Sequence, residues 1–354
     1  MSIIREILKH AIRIAASDLH LEENSPIAIR VNSEIKISSQ NLSTMEMGEL
    51  LNELLSEEEL NKFNKTSDLD SSLGLEGLSR IRINAYKAND KKCLTLRILS
   101  DNIPEWQNIG LPKEFIKLAE VEKGLILCTG PTGSGKSTSL AAFIKYILDN
   151  QKKHIITIED PIEYKFSHST NSIIHQREVG SDTNTFSSAL KAALREDPDV
   201  IYIGEMRDLE TIQLAMTAAE TGHLVIGTLH TSSASKTVER IVDVFPGDQQ
   251  EQARLQASTS ILGIFSQTLC RNTIGKRCLA YELMINNIGI ANLIRERKIN
   301  QIYSTIQTNT NIGMKTLDQC LVELINKKEI TLEEALKKSS NKKEINSLLK
   351  LDLN

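Results

Sequence analysis

Apolar residues along this chain follow two rhythms that alternate. Ile4, Ile7, Leu8, Ala11, Ile12 and Ala15 recur three and four apart, the spacing that lines one face of a helix. The stretches "DLHL" and "PIAIRVNSEIKIS" then alternate apolar with polar, as half-buried strands do. "TMEMGELLNELLSEEELNKF" returns to helical spacing with Thr44 placed to cap it, and "LSRIRINAYKANDKKCLTLRILS" gives two strands joined around Asn89 and Asp90. This predicts an N-terminal α+β domain over residues 1–99. "SDNIPEWQNIGLP", Ser100 to Pro112, carries two prolines, a glycine and the only tryptophan, and reads as a linker.

From Lys113 the rhythm switches element by element: "EFIKLAEVE", "LILCT", "KSTSLAAFIKYILDN", "HIITIED". "DVIYIG" and "HLVIGTLH" add two buried strands. Such alternation predicts an α/β domain over residues 113–354, with a parallel sheet between helices. Beyond Phe245 the chain reads as mostly helical, closing in a helical subdomain from about residue 290 to 354.

Composition narrows the class. A chain of 354 residues with 40% apolar and 25% charged residues is a globular protein of more than one domain. The net charge of −4 supplies no general attraction to nucleic acid, which is not expected as a partner. Cys93, Cys128, Cys270, Cys278 and Cys320 include no C-x-x-C pair, so neither a disulfide framework nor a zinc site is expected, and a reducing cytoplasm is. Arg5, Glu6, Lys9, His10 and Arg13 interrupt the N-terminal apolar run, which excludes a signal peptide, and no stretch approaches the ~18 apolar residues of a membrane span.

The chemistry enters at "GPTGSGKST", which comprises Gly130, Pro131, Thr132, Gly133, Ser134, Gly135, Lys136, Ser137 and Thr138. It satisfies G-x-x-x-x-G-K-[ST] between an expected strand and an expected helix, the context a phosphate-binding loop requires. Glycines let successive N–H groups turn inward at a helix N-terminus, where phosphates sit. Lys136 is placed for the β- and γ-phosphates of ATP and Ser137 for Mg²⁺. Carboxylates follow two of the strands: Glu159, Asp160 and Glu163 after one, Glu205 after another. Acids at strand tips beside such a loop can orient a water and organise the metal's water shell. Gly204 stands where many such proteins carry a metal-ligating aspartate. His230 ends one strand and is a candidate sensor of the γ-phosphate; His223 precedes the same strand. One lysine is little charge for a triphosphate, and Arg80, Arg82 and Arg97 on the N-terminal strands are candidates to supply more across a subunit boundary.

"GPTGSGKST", "ITIEDPIEY", "GEMRDLETIQLAMTAAETGHLVIGTLHT" and "ERIVDVFP" resemble the Walker A, Asp box, Walker B and His box regions of the secretion ATPase superfamily. Within it the chain is similar to the retraction motors of type IV pili, from Ser17 through "GMKTLDQCL". That resemblance implies a PAS-like N-terminal domain, a RecA-like P-loop NTPase domain with a helical tail, and a homohexameric ring that hydrolyses ATP with Mg²⁺. It implies that Glu205 and Glu163 serve water activation and metal organisation, that His230 faces the γ-phosphate, and that Arg80, Arg82 and Arg97 act on a neighbour's nucleotide. It further implies an inner-membrane platform partner of the PilC type, peripheral placement at the cytoplasmic face, and service with a PilU-like paralogue. "GIANLIRERK" resembles the retraction motif A-I-R-N-L-I-R-E, keeping Asn292, Leu293, Ile294, Arg295 and Glu296 but with Gly289 for its alanine and Ala291 for its first arginine. A PilU-like accessory motor, another secretion ATPase and a RecA-like nucleic-acid translocase are the alternatives.

Overall fold

The structure, a computed structural model, describes residues 3–14, 16–31, 34–74, 80–98 and 102–349. Ala15 and the expected domain boundary at Leu99, Ser100 and Asp101 lie outside them. The chain divides into two compact units, Met1–Asn102 and Ile103–Asn354.

The first unit runs α1 (Ile3–Arg13), β1 (Ala16–Glu22), β2 (Ser25–Val31), β3 (Glu34–Leu42), α2 (Thr44–Leu54), α3 (Glu57–Thr66), β4 (Asp68–Gly74), β5 (Arg80–Ala88) and β6 (Lys91–Ile98). Its sheet is antiparallel throughout, in the order β3-β2-β1-β6-β5-β4. Ile4, Leu8 and Ala11 of α1 share a core with Leu50 and Leu54 of α2 and with Leu19, Ile81, Ile83 and Leu96 of the sheet. The two-residue strand period that buries Ile81 and Ile83 turns Arg80 and Arg82 to the other face. The single helix expected from Thr44 onward is broken at Ser56. The Ser56 hydroxyl accepts the Glu59 N–H while the Glu59 carboxylate takes the Ser56 N–H, a capping box that starts a new helix. Ser43, rather than Thr44, caps α2 by the same device with Glu46. Strand β4 escapes the sequence pattern because, at the sheet edge, it buries only Leu69.

The second unit runs α4 (Lys113–Ile116), β7 (Gly124–Thr129), α5 (Lys136–Asn150), β8 (His154–Glu159), β9 (Ile173–Glu178), α6 (Phe186–Ala193), β10 (Val200–Ile203), α7 (Leu209–Glu220) and β11 (Leu224–Leu229). It continues with α8 (Ala234–Asp243), α9 (Gln250–Ser260), β12 (Ile261–Arg271), β13 (Arg277–Ile285), α10 (Ile288–Arg295), α11 (Ile302–Thr308), α12 (Leu317–Asn326), α13 (Leu332–Lys338) and α14 (Lys342–Leu348). The sheet order is β13-β12-β7-β11-β10-β8-β9, parallel except for the β12–β13 hairpin. Alternate residues of β7 supply the two cores on its faces: Leu125 and Leu127 join α7, α8 and α9, and Ile126 and Cys128 join α5. The largely helical reading beyond Phe245 is corrected by β12 and β13. Their apolar runs carry Ser266, Gln267 and Glu282, whose polar side chains interrupt the uninterrupted pattern expected of a buried strand. Residues 103–112 group with this unit, where Leu111 is buried and Trp106 and Ile109 pack on the α5 side of the sheet.

No helix among the described residues is long and apolar enough to cross a membrane. The cysteines are free thiols, four of them buried and Cys278 half-buried. Burial pushes the Cys128 and Cys270 thiols up to about 12 and that of Cys320 to about 11.

Candidate active site

The loop at Gly130–Gly135 is shaped by its glycines and by its floor. Gly130 has φ 144°, and a Cβ there would lie 2.3 Å from the Gln267 carbonyl oxygen. Gly133 (φ 77°) and Gly135 (φ 89°) also occupy the left-handed region, and Gly135 directly precedes α5. The floor is β12. Gln267, only 3% exposed, donates from Nε2 to the Ser134 carbonyl at 2.6 Å, and Ser266 shares a hydroxyl hydrogen bond of 2.7 Å with Thr129. Lys136 donates from Nζ to the Gly130 carbonyl at 2.8 Å and the Pro131 carbonyl at 3.3 Å. Its ammonium therefore stands over the loop. Burial lowers its pKa, opposed by Cys128, Glu205 and Glu163. Gly130→Ala, which must displace backbone at an unfavourable φ, is expected to cost at least about 2 kcal/mol of stability. Thermal unfolding tests this; a midpoint equal to wild type rules out the close approach.

Strand order decides what meets this loop. β7, β11, β10 and β8 are neighbours and parallel, so their carboxyl ends share one edge of the sheet. That edge carries the glycine loop, His230, Glu205 and Glu159. His230 Nε2 lies 2.9 Å from Glu205 Oε1, and Arg207 Nε donates to the same oxygen. Thr138, on the first turn of α5, shares a 2.8 Å hydroxyl hydrogen bond with Tyr164, which fastens the segment after β8 to the loop. Gly204 is a tight place for any side chain: a Cβ there would lie 3.1 Å from the Ile158 carbonyl oxygen and 3.2 Å from the Glu159 Cα.

Glu159 is 6% exposed and accepts from Thr157 Oγ1 at 2.6 Å and Gln176 Nε2 at 3.1 Å. Burial pushes its carboxyl up to about 7, with the Glu163 charge adding to the rise. The folded protein thus holds a proton that the unfolded chain releases above the ordinary carboxylate range. Stability from this group declines as pH rises through that range toward 7. Glu159→Gln, which cannot ionise, is expected to flatten the decline in urea midpoints measured between about pH 5 and 7.5. An unchanged slope would exclude Glu159 as its source.

Other candidates lie elsewhere. His223 is at the amino end of β11, about 20 Å of strand away from His230, with its Nδ1 3.1 Å from the Ala218 carbonyl oxygen. Asp160 and Glu163 are exposed in the segment after β8. Arg80, Arg82 and Arg97 share one sheet face of the first unit, with Arg82 opposite Arg97. Arg97 Nε donates to Asp18 at 2.9 Å, Arg80 donates to Ser72 Oγ at 2.7 Å, and Arg82 Nε stands 3.9 Å from Asp70. Burial alone would raise the Asp18 carboxyl, but hydrogen bonds from Arg97 and Ser17 outweigh it and hold it below the usual range. Asn292 to Glu296 fall on and just after α10. Ile294 is buried there, Arg295 bonds Asn292, and Glu296 pairs with Lys298 at 2.7 Å.

Several site residues were not legible as such: Gln267 and Ser266 under the loop, Gln176 and Thr157 on Glu159, Tyr164 on Thr138, and Arg207 on Glu205. Two of them left a signal, since Ser266 and Gln267 are adjacent polar residues inside "ILGIFSQTLC". A cavity of about 570 Å³ opens beside the loop, lined among others by Gly135, Thr138, Gln267, Arg277, Tyr281 and Lys315.

Comparison with known proteins agrees with this geometry. The signature described as "Type II/IV secretion system protein" matches residues 1–350. The type IV pilus retraction ATPase PilT of Pseudomonas aeruginosa is 44% identical over 337 residues, which span 95% of this chain and 98% of that protein. The type IV pilus ATPase PilU of the same organism is 36% identical, spanning 98% of this chain and 91% of its own. A crystal structure of the pilus retraction motor PilT with bound ADP superposes with a TM-score of 0.91 at 47% identity, covering 98% of this chain and 99% of that one. A glycine loop at the carboxyl edge of a parallel sheet, acids on adjoining strand tips, and likeness along nearly the whole length together place this chain in the type II/IV secretion system protein family.

Proposed function

We propose that this protein is an ATPase motor that drives retraction of type IV pili. The observation that carries the reading is Glu205 held by His230 at the strand tips beside the glycine loop, in a chain so similar to PilT. Phosphates of ATP lie on the N–H groups of Gly133 to Ser137, with Lys136 turning from its carbonyls to the β- and γ-phosphates. Glu205 orients the attacking water, Glu163 assists, and His230 faces the γ-phosphate. The donor set fits Mg²⁺. No group of three or more acid, histidine or cysteine ligands occurs among the described residues, whereas magnesium needs only one protein hydroxyl, here Ser137, with phosphate oxygens and waters. When bound, the ion offsets phosphate charge.

In this reading the unit Met1–Asn102 is the PAS-like domain and Ile103–Asn354 the RecA-like ATPase domain with its helical tail. Six copies form a ring in which Arg80, Arg82 and Arg97 of one copy offset charge on a neighbour's nucleotide. The ring works at the cytoplasmic face of the inner membrane against a PilC-like platform protein. Mixing Glu205→Ala subunits with Arg82→Ala subunits, each nearly inactive alone, is expected to restore part of the ATPase activity. No recovery at any ratio would rule out action between copies.

One feature favours a second reading, the accessory motor. The retraction motif departs at Gly289 and Ala291 on α10; an alanine Cβ at 289 would lie 3.2 Å from Asn287 Oδ1, the oxygen that caps this helix, a tight contact that a small shift of that side chain relieves. Imaging of labelled pili in a deletion strain separates the two. Pili that assemble but never retract, unrescued by a Glu205→Ala allele, support the principal motor, and merely weakened retraction supports the accessory one. Normal retraction would sink both.

A further inference from the structure

Glu282 lies on the edge strand β13 and is nonetheless only 4% exposed. It is opposite Ser266 in register, and Ser266 is opposite Thr129, so a polar row crosses β13, β12 and β7 to the residue before Gly130. Glu282 Oε1 accepts the N–H of Ala234 at 2.7 Å, and the Leu317 N–H faces the same carboxylate and favours its charge. Ala234 is the first residue of α8, reached from His230 through Thr231, Ser232 and Ser233, and Leu317 is the first residue of α12. One buried carboxylate therefore bonds the amino end of α8 and faces that of α12, where unpaired N–H groups and the helix dipoles both favour negative charge.

Beside it, α12 is a junction. Asp318 is fully buried and accepts from Ser339 Oγ at 2.5 Å, Ser340 Oγ at 3.1 Å and the Tyr303 hydroxyl at 3.2 Å. Tyr303 on α11 and Gln307 also bond Glu344 on α14, at 2.5 and 2.8 Å. The start of α12 thus gathers α11, the turn after α13, and α14. Burial pushes the Glu282 carboxyl up to about 7, a measure of the cost of keeping a charge here. A well-packed apolar side chain would fill the same space without that cost, which turns attention from stability to what the carboxylate connects.

We propose that Glu282 is a positioning residue that makes the His230 segment and the C-terminal helices α11 to α14 move as one body, so that nucleotide contact at His230 is transmitted to the amino end of α12. The proposal rests on the reading that His230 faces the γ-phosphate. Amide hydrogen exchange on the full-length protein, with and without a non-hydrolysable ATP analogue with magnesium, tests it. In the wild type the analogue is expected to slow exchange in the loop at residues 130–138 and at Leu317 to Cys320. In Glu282→Ala the loop should still respond and α12 should not, with kcat lowered about tenfold and KM for ATP within about twofold. Glu282→Gln keeps one acceptor for Ala234 and should weaken the α12 response with little change in thermal midpoint, so it carries the comparison if the alanine variant fails to fold. An α12 response that persists undiminished in both variants, or is missing from a wild type whose loop responds, overturns the link. Absence of any response at the loop overturns the nucleotide reading itself, and this proposal with it.

Discussion

A Lys136→Ala protein is expected to lose ATP hydrolysis by at least ~10³-fold while its fold stays intact. The two parts of that result have separate causes. Among the described hydrogen bonds, the side chain touches only the Gly130 and Pro131 carbonyls of its own loop, so no hydrogen bond to the core goes with it. The helix it opens is held by Leu140, Phe143, Ile144 and Ile147, all buried, and alanine suits a helix at least as well as lysine. What disappears is the one cation of the loop, which is needed as charge moves onto the transferred phosphate. ATPase rates beside thermal unfolding curves check both parts. Turnover at the wild-type rate would remove the nucleotide chemistry from this loop.

Glu205→Gln is expected to bind ATP within a few-fold of wild type yet turn over ~10²- to 10⁴-fold more slowly. Glutamine retains an oxygen that can accept from Arg207 Nε and lie beside His230 Nε2, so the arrangement at the strand tip is kept while the negative charge is lost. Equilibrium binding of a fluorescent ATP analogue, with single-turnover hydrolysis beside it, separates the two effects. If hydrolysis continued at the normal rate, Glu205 would be a structural partner of His230 and the water would be oriented elsewhere.

How much of this was readable in the sequence depended on whether the constraint was local. The loop at Gly130 to Ser137 was legible because each glycine answers a backbone demand, a positive φ or a close approach, that residue type alone records. Glu205 and His230 were legible because an apolar run ends where its strand ends, and parallel strands put their ends together. Gln267, Gln176 and Glu282 were not, since what makes them matter is a partner 133, 17 or 48 residues away in the chain. For the same reason the mostly helical pattern beyond Phe245 gives no sign of β12 and β13: the polar residues that hide the strand pattern are those the fold buries against the loop and α8. The break at Ser56 belongs to the local class, because the Ser-x-x-Glu spacing that caused it was in view.

The burial of the native thiols has a practical consequence. Only a thiolate attacks a maleimide, and Cys128, Cys270 and Cys320 are held at about 11 or 12, with Cys93 and Cys278 also raised by burial. A single cysteine placed on the exposed surface of α3, as in Glu58→Cys, should therefore take up a fluorophore well ahead of the five natural ones. The motor can then be followed by optical methods at the level of one molecule without first stripping its own sulfur from the core.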